Sequence, residues 1–269
     1  MSNVMIAFLL TLFAGLSTGI GSIIAFFYKK TNTTFLSISL GFSAGVMIYV
    51  SFVEIYDKAA ESLNSAFGST AGQWATLGSF FLGILIISII DRFVPEFENP
   101  HQPRTREQLN ELESEKIEDK SRLHRMGILS ALAIAIHNFP EGLATFAATL
   151  SDPALGLSIA IAVAIHNIPE GISVSVPIYF STGSKKKAFI YSFLSGLAEP
   201  AGAVIGFFLL RMIFNDIMFG VLFGVVAGIM VYISIDELLP TSREYGKGHR
   251  EIYGFIVGMA VMGISLVLF

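Results

Sequence analysis

The chain carries the sequence His-Asn-Phe-Pro-Glu-Gly at residues 137–142 and the near-copy His-Asn-Ile-Pro-Glu-Gly at residues 166–171. Both copies lie inside apolar stretches long enough to cross a membrane, 126–150 and 155–180. Imidazole, amide and carboxylate groups are costly in hydrocarbon, so two such clusters indicate a functional site inside a bundle of helices. The repeated phrase therefore predicts a membrane protein with a buried polar centre.

The overall composition agrees with this interpretation. Of the 269 residues, 53% are hydrophobic and only 14% are charged, whereas a soluble domain has ~25% charged residues. The net charge of −4 gives no indication of nucleic acid as a partner, and none is expected. The chain has no cysteine, so we predict neither disulfides nor a thiolate metal site, and we expect no organic cofactor.

Eight apolar stretches approach the ~20 residues that a transmembrane helix needs. The first is interpreted as a retained membrane helix and not as a signal peptide, because its basic residues follow the apolar stretch instead of preceding it. The predicted fold class is thus an all-α polytopic membrane protein. We number the predicted spans 1 to 8, at residues 4–28, 35–56, 71–90, 126–150, 155–180, 188–213, 218–239 and 252–269.

The basic residues predict the orientation of these spans. Fifteen of the 17 Lys and Arg residues lie in the connections 1–2, 3–4, 5–6 and 7–8, while only Lys58 and Arg211 lie on the opposite side. By the positive-inside rule those four connections are cytoplasmic and both termini are outside. The longest connection, 92–125, is rich in charge and poor in large apolar residues, and we expect a flexible cytoplasmic loop or a marginal surface helix.

Internal repeats relate the first and last three spans. Residues 41–54 of span 2 and 224–237 of span 7 match at an offset of 183, and residues 15–19 of span 1 weakly resemble 196–200 of span 6. The predicted topology makes the matching spans antiparallel. We therefore predict one domain, 1–269, with inverted repeats 1–91 and 188–269 around spans 4 and 5 at 126–180. Inverted repeats of transporters place the substrate near the midplane.

The spacing within each phrase places several metal-ligating groups on one helix face. His137 and Glu141 are four residues apart, as are His166 and Glu170, and the neighbouring asparagines overlap the same face. Imidazole nitrogens with carboxylate and amide oxygens suit zinc and its first-row neighbours. The prolines at 140 and 169 each remove a backbone donor, which predicts a kink beside the ligands.

Three other interpretations of these phrases are open at the level of sequence. The polar groups could serve only as hydrogen bonds between helices. The chain could be a membrane zinc hydrolase, although such enzymes usually carry His-Glu-x-x-His and this chain has a single His per phrase. It could also be a passive cation channel, which would show linear instead of saturable flux.

Further acidic residues in or near the spans predict a cation pathway. Three lie on one face of span 2 towards the outside, and three lie at the cytoplasmic ends of spans 3 and 7. For Asp57, Glu61 and Asp91, ordinary interfacial charge is an equally good explanation. The predicted pathway residues are Glu54, Asp57, Glu61, Asp91, Asp236 and Glu237.

The two phrases, the eight spans and the long cytoplasmic loop resemble the ZIP (Zrt/Irt-like) divalent metal transporters, in particular their bacterial zinc-uptake branch. The resemblance covers nearly the whole chain and implies a 3+2+3 arrangement, in which spans 1–3 and 6–8 form an inverted pair around spans 4 and 5. It also implies a binuclear site whose two glutamates bridge the ions. The residues that match the family's ligands are His137, Asn138, Glu141, His166, Asn167, Glu170, Glu199 and, on a shorter match, Met47.

The function expected from these features is import of divalent metal ions across the cytoplasmic (inner) membrane, not enzymatic catalysis. The expected substrate is Zn²⁺, with Fe²⁺, Cd²⁺, Mn²⁺ and Co²⁺ as further ions that an N/O site accepts. The partners expected are these ions and the lipid bilayer. Small residues such as Gly41 and Gly45 permit close packing within or between protomers, so a homodimer is left open.

Overall fold

The computed structural model describes residues 2–27, 33–92, 117–210, 215–246 and 248–268. All regular secondary structure in these ranges is helical, which confirms the predicted all-α class. Seven of the described helical units are long and apolar enough to cross a membrane. Predicted span 4 is not among the seven; it lies in a helix whose side chains at 117–127, 129, 130 and 133 fall outside the described residues.

The helices follow the predicted order of spans. Spans 2 and 7 each consist of an α-helix, a short π-helical segment and a second α-helix, and span 6 consists of two α-helices. The bounds in the first half are Asn3–Phe27 (span 1), Thr33–Val50, Ser51–Ile55 and Tyr56–Phe67 (span 2), Ser69–Arg92 (span 3) and Ile117–Ser151 (span 4). Those in the second half are Pro153–Thr182 (span 5), Lys185–Gly196 and Ala198–Leu210 (span 6), Asp216–Ile233, Ser234–Leu238 and Leu239–Tyr245 (span 7) and Arg250–Leu268 (span 8).

The predicted loop 92–125 is helical at its C-terminal end. The helix of span 4 begins at Ile117, ahead of the predicted start of the span at Met126. A polar segment is unfavourable in hydrocarbon, but it can still form a helix in water. The helix therefore extends beyond the apolar stretch. Residues 93–116 lie outside the described part of the chain.

Spans 4 and 5 run as continuous helices through Pro140 and Pro169. The connection between these spans is a tight turn. The carboxylate of Asp152 accepts the backbone N–H of Ala154 at 2.9 Å, and Pro153 occupies the first turn, where its missing N–H costs nothing. The turn makes the two phrase-bearing helices neighbours.

Span 6, in contrast, is interrupted at Leu197. Pro200 follows three residues later, and a proline cannot donate to the carbonyl four residues back, which here is Gly196. The next helix begins at Ala198 and places Glu199 in its first turn. The break therefore positions an acidic side chain at the start of a helix inside the bundle.

The π-helical segments of spans 2 and 7 occupy matching positions. Ser51–Ile55 and Ser234–Leu238 are separated by the same 183 residues that relate the two sequences. Glu54 and Glu237 are the matching acids within them. Single-turn π-helical segments are rare and occur frequently at functional sites.

Close helix contacts also occur in matching pairs. A Cβ added at Gly45 of span 2 would overlap the carbonyl oxygen of Phe255 in span 8, and one added at Gly228 of span 7 would overlap that of Phe80 in span 3. Gly45 and Gly228 are again 183 residues apart. Spans 2 and 8 therefore pack as closely as spans 7 and 3, through glycines at equivalent positions.

The exterior of the bundle is apolar. Spans 3 and 8 are the least buried of the seven candidate spans, and span 5 is the most buried. Large apolar side chains such as Phe81, Leu85, Ile256 and Val257 are exposed on the outer spans. In a soluble protein this surface would be a liability, whereas in a membrane protein it is the face that contacts lipid. This apolar exterior and the seven candidate spans support a multi-pass membrane protein.

Candidate metal site

Four ligand-type side chains from spans 4 and 5 converge in the interior. The Nε2 atom of His137 lies 3.3 Å from Oε1 of Glu141 on its own helix and 3.3 Å from Oε1 of Glu170 on span 5. The Nε2 atom of His166 lies 3.2 Å from Oε1 of Glu141. All four residues are at most 4% exposed. The two phrases, each with its i,i+4 spacing, thus contribute to one His/Glu cluster.

The spacing within this cluster suits a small transition-metal ion. Ligand atoms of His137, His166 and Glu170 lie within 4.8 Å of one another, and Glu141 adjoins both imidazoles. Two ligands bound tetrahedrally at ~2.0–2.1 Å from zinc lie roughly 3.3 Å apart, close to the distances found here. The cluster can therefore surround an ion with little rearrangement.

The ring of His166 is oriented by its own helix. Its Nδ1 atom lies 3.1 Å from the carbonyl oxygen of Ala162. Because a carbonyl oxygen can only accept, Nδ1 is the donor in this contact, and Nε2 faces the glutamates. Metal-ligating histidines commonly use a backbone carbonyl in this way to fix tautomer and orientation.

Amide and carboxylate oxygens lie beside the cluster. The Nδ2 atom of Asn167 donates to the carbonyl of Ala14 in span 1, at 3.0 Å, and to the carboxylate of Glu199 in span 6. The Nδ2 atom of Asn138 lies 3.4 Å from the carbonyl of Ser195 in span 6. Both amides are thus oriented with Nδ2 towards backbone carbonyls, which leaves each Oδ1 atom available for a cation.

Many polar atoms of this region are buried without a hydrogen bond inside the described ranges. A buried polar atom without a partner costs about 1–3 kcal/mol, and native proteins contain few of them. Their concentration at one place suggests that the partner is an ion. The atoms include Nδ1 of His137, Oδ1 of Asn138, Oδ1 of Asn167, Oε2 of Glu170 and Oε2 of Glu199.

The glycines that end the two phrases bring the flanking helices close. A Cβ at Gly142 would overlap the backbone of Glu199 in span 6, and a Cβ at Gly171 would overlap the carbonyl oxygen of Thr18 in span 1. Ser192 donates its hydroxyl to the carbonyls of Thr18 and Gly171, at 3.2 Å each. Spans 1 and 6 therefore form the walls of the site. Thr18 and Ser192 were not predicted from sequence, although the weak resemblance between spans 1 and 6 includes position 18.

Met47 is fully buried in span 2. Ser43, one turn earlier on the same face, lies with its hydroxyl 3.4 Å from the carbonyl oxygen of His166. This contact places the part of span 2 that carries Ser43 and Met47 against span 5. The assignment of Met47 as a thioether ligand stays a prediction.

The predicted pathway residues lie on spans 2, 3 and 7, outside the cluster. Glu54 is half-buried, and Asp57 and Glu61 are exposed, with Glu61 in a 3.1 Å ion pair with Lys58. On the other side, Asp236 is exposed, whereas Asp91 and Glu237 are half-buried. Of these six residues, Glu54 and Glu237 lie in the matched π-helical segments of spans 2 and 7.

Comparison with known proteins places this geometry in a family. Residues 94–266 match the family model described as ZIP Zinc transporter. The chain is 63% identical to Zinc transporter ZupT of Clostridium perfringens over 278 aligned positions, covering 100% of this chain and 98% of the relative. It is 59% identical to proteins of the same name from Lysinibacillus sphaericus (99% and 98% covered) and Streptococcus mutans (98% and 97% covered). The chain therefore belongs to the ZIP family of zinc transporters.

Proposed function

We propose that the chain imports divalent metal ions, with zinc preferred, across the cytoplasmic membrane. The observation that carries this proposal is the buried cluster of His137, Glu141, His166 and Glu170, in which three His–Glu pairs are 3.2–3.3 Å apart between two apolar helices. Family membership supports it, because ZIP proteins are transporters and not enzymes. The relatives named above are zinc transporters by name.

The transport site holds two ions. One lies at the imidazole end, between His137 and His166, with Met47 as a further ligand from span 2. The other lies at the oxygen-rich end, among Asn138, Asn167 and Glu199, and Glu141 and Glu170 bridge the two ions. The support for two positions is that buried polar atoms without a hydrogen bond belong both to His137 and to Asn138, Asn167 and Glu199.

The ligand chemistry favours transport over permanent binding. Nitrogen and oxygen ligands without thiolate hold zinc firmly enough to replace its water shell and still allow release. The same set accepts Fe²⁺, Cd²⁺, Mn²⁺ and Co²⁺, so the preference for zinc rests mainly on His137 and His166. No organic cofactor takes part in this function.

The predicted pathway completes the route. Ions enter from outside along Glu54, Asp57 and Glu61 and leave towards the cytoplasm past Asp91, Asp236 and Glu237, with both termini outside. The distribution of basic residues supports this orientation. The place of Glu237 in the π-helical segment of span 7 supports an exit on that span.

Alternating access arises from the two repeats, 1–91 and 188–269, moving relative to spans 4 and 5. The matched π-helical segments and the matched glycine contacts of spans 2 and 7 support an inverted 3+2+3 arrangement. Movement of one repeat unit against the other exposes a midplane site to each side in turn. Such a carrier shows saturable flux, unlike a channel.

The test is zinc entry into proteoliposomes that contain a zinc-sensitive dye. We would compare the wild type with Glu141→Gln and Glu170→Gln, which keep side-chain volume but remove the charge, and with Asp216→Asn as a control at an exposed helix start. Saturable entry that is lost in both site variants and retained in the control supports the proposal. Unchanged entry in both site variants would place the pathway elsewhere.

A further inference from the structure

Contacts around the site are related by constant offsets along the chain. Asn167 donates to the carbonyl of Ala14, and Asn138 donates to the carbonyl of Ser195. The two asparagines are 29 residues apart, and the two acceptors are 181 residues apart. Exchanging span 4 for span 5 and span 1 for span 6 therefore reproduces the same hydrogen bond.

The glycine contacts obey the same rule. Gly171 packs on the backbone of Thr18, and Gly142 packs on the backbone of Glu199. These pairs again differ by 29 and 181 residues. Position 18 in span 1 is therefore the structural counterpart of position 199 in span 6, which carries a predicted ligand.

The two counterpart side chains differ in their hydrogen bonding. Glu199 accepts a hydrogen bond from the amide of Asn167. The hydroxyl of Thr18 and the Oδ1 atom of Asn138 are both fully buried, and neither has a hydrogen-bond partner within the ranges that the structure describes. Thr18 adjoins Gly196, and Gly196 directly follows Ser195, whose carbonyl accepts the hydrogen bond from Asn138. Thr18 and Asn138 thus carry two polar groups without partners. Their counterparts on the other side of the site are the carboxylate of Glu199 and the amide of Asn167, which are hydrogen-bonded to each other.

We infer that Thr18 is a further residue of the transport site, whose hydroxyl supplies a neutral oxygen at the oxygen-rich end, opposite Glu199. The inference rests on the proposed function, because the partner it assigns to this hydroxyl is the second transported ion or a water bound to that ion. It assigns a use to two buried groups, on Thr18 and Asn138, that otherwise represent uncompensated desolvation.

The difference between Thr18 and Glu199 sets the charge of the site. Two divalent ions carry four positive charges, and Glu141, Glu170 and Glu199 supply three negative ones. A glutamate at position 18 would add a fourth negative charge, which would neutralise the two ions and hold them more tightly. A threonine leaves the loaded site with excess positive charge, which favours release of an ion.

The packing at position 18 resembles the packing at position 199. The Cβ of Thr18 lies 2.9 Å from a Cβ added at Gly196, and the Cβ of Glu199 lies 3.3 Å from one added at Gly15. Both side chains thus pack against a glycine of the opposite helix. A glutamate at position 18 therefore meets surroundings that resemble those already accommodating one at 199.

The experiment is calorimetric titration of zinc alone into the purified full-length protein in detergent. The variants are Thr18→Val, which removes the hydroxyl at equal size, Thr18→Ser, which keeps it, and Thr18→Glu. We expect the serine variant to match the wild type, the valine variant to bind the weaker ion about tenfold less tightly, as for loss of groups around a metal, and the glutamate variant to bind it more tightly. Effects of opposite sign at one position are not expected from a purely structural role.

Two further variants make the outcome interpretable. If Thr18→Val does not fold, Thr18→Ala compared with Thr18→Ser answers the same question without added bulk. Glu170→Gln serves as the reference for loss of the site. Zinc affinity that is unchanged in the valine or alanine variant but lost in Glu170→Gln would contradict the role of Thr18. The proposed function would not be affected by that result. Unchanged affinity in Glu170→Gln as well would instead contradict the proposed function.

Discussion

The Nε2 atom of His166 lies 3.2 Å from Oε1 of Glu141, although the residues belong to different helices and are 25 positions apart. This contact joins the two phrases into one site. Because both groups are buried, removing either leaves the other uncompensated. Leaving a buried polar group without its partner typically costs about 1–3 kcal/mol. The glutamates therefore stabilise the empty site through the histidines and the loaded site through the metal.

Replacement of His166 by alanine is expected to reduce zinc affinity more than manganese affinity. Manganese prefers oxygen ligands, whereas zinc gains from imidazole nitrogen. The loss for zinc should exceed the about tenfold effect typical of groups that only orient a ligand. Competition titrations of the purified protein with both ions measure the ratio. An equal loss for both ions would assign His166 a structural role only.

Replacement of Glu199 by glutamine is expected to lower the number of zinc ions bound from two to one. Asn167 keeps its hydrogen bond to Ala14 in this variant, so the helices stay in place while the oxygen-rich end loses its charge. Metal content after gel filtration, measured by mass spectrometry, gives the ratio. Asp216→Asn is the matched control and should retain both ions. Two ions in Glu199→Gln would contradict the binuclear assignment.

Replacement of Gly171 by alanine is expected to destabilise the bundle. The added methyl group would overlap the carbonyl oxygen of Thr18, where backbone has to move. Overpacking of this kind costs about 1–3 kcal/mol. Gly78→Ala is the control, because a Cβ there meets nothing within 4 Å. Thermal unfolding in detergent should show a lower midpoint for Gly171→Ala and an equal or higher midpoint for the control.

Zinc binding is expected to weaken as the pH falls. Imidazole and carboxylate bind metal only when deprotonated, so protons compete with zinc for the site. The loss should occur between about pH 7 and pH 4, where free imidazole and carboxyl groups take up protons. Titration calorimetry in detergent across this range is the measurement. Affinity that is insensitive to acid would exclude the His/Glu ligand set.

The orientation can be tested because the chain has no cysteine. Single cysteines introduced by Ser65→Cys and Lys186→Cys would lie at exposed positions on opposite sides of the predicted membrane. A membrane-impermeant maleimide is expected to label the first in intact cells and the second only after lysis. The reversed pattern would invert the topology.

The spans and their acids were accessible from sequence because hydropathy and helical periodicity are local properties. The ends of the helices were less accessible. The helix that contains span 4 begins at Ile117, ahead of the apolar stretch, and span 6 breaks at Leu197. These boundaries depend on where a helix meets water and on which carbonyl a proline leaves free, neither of which appears in a count of apolar residues.

The amino-acid sequence by itself determined the all-α class and the repeated metal-ligating phrases. It also placed His137 with Glu141, and His166 with Glu170, on one helix face each, because the 3.6-residue period of a helix brings residues four apart to the same face. Only the tertiary structure decided that these two faces meet, that Asn167 reaches Glu199, and that Thr18 occupies the place opposite it. These relationships join residues of different spans, and they follow from how closely glycines allow the helices to approach, which depends on three-dimensional packing and not on any single stretch of chain.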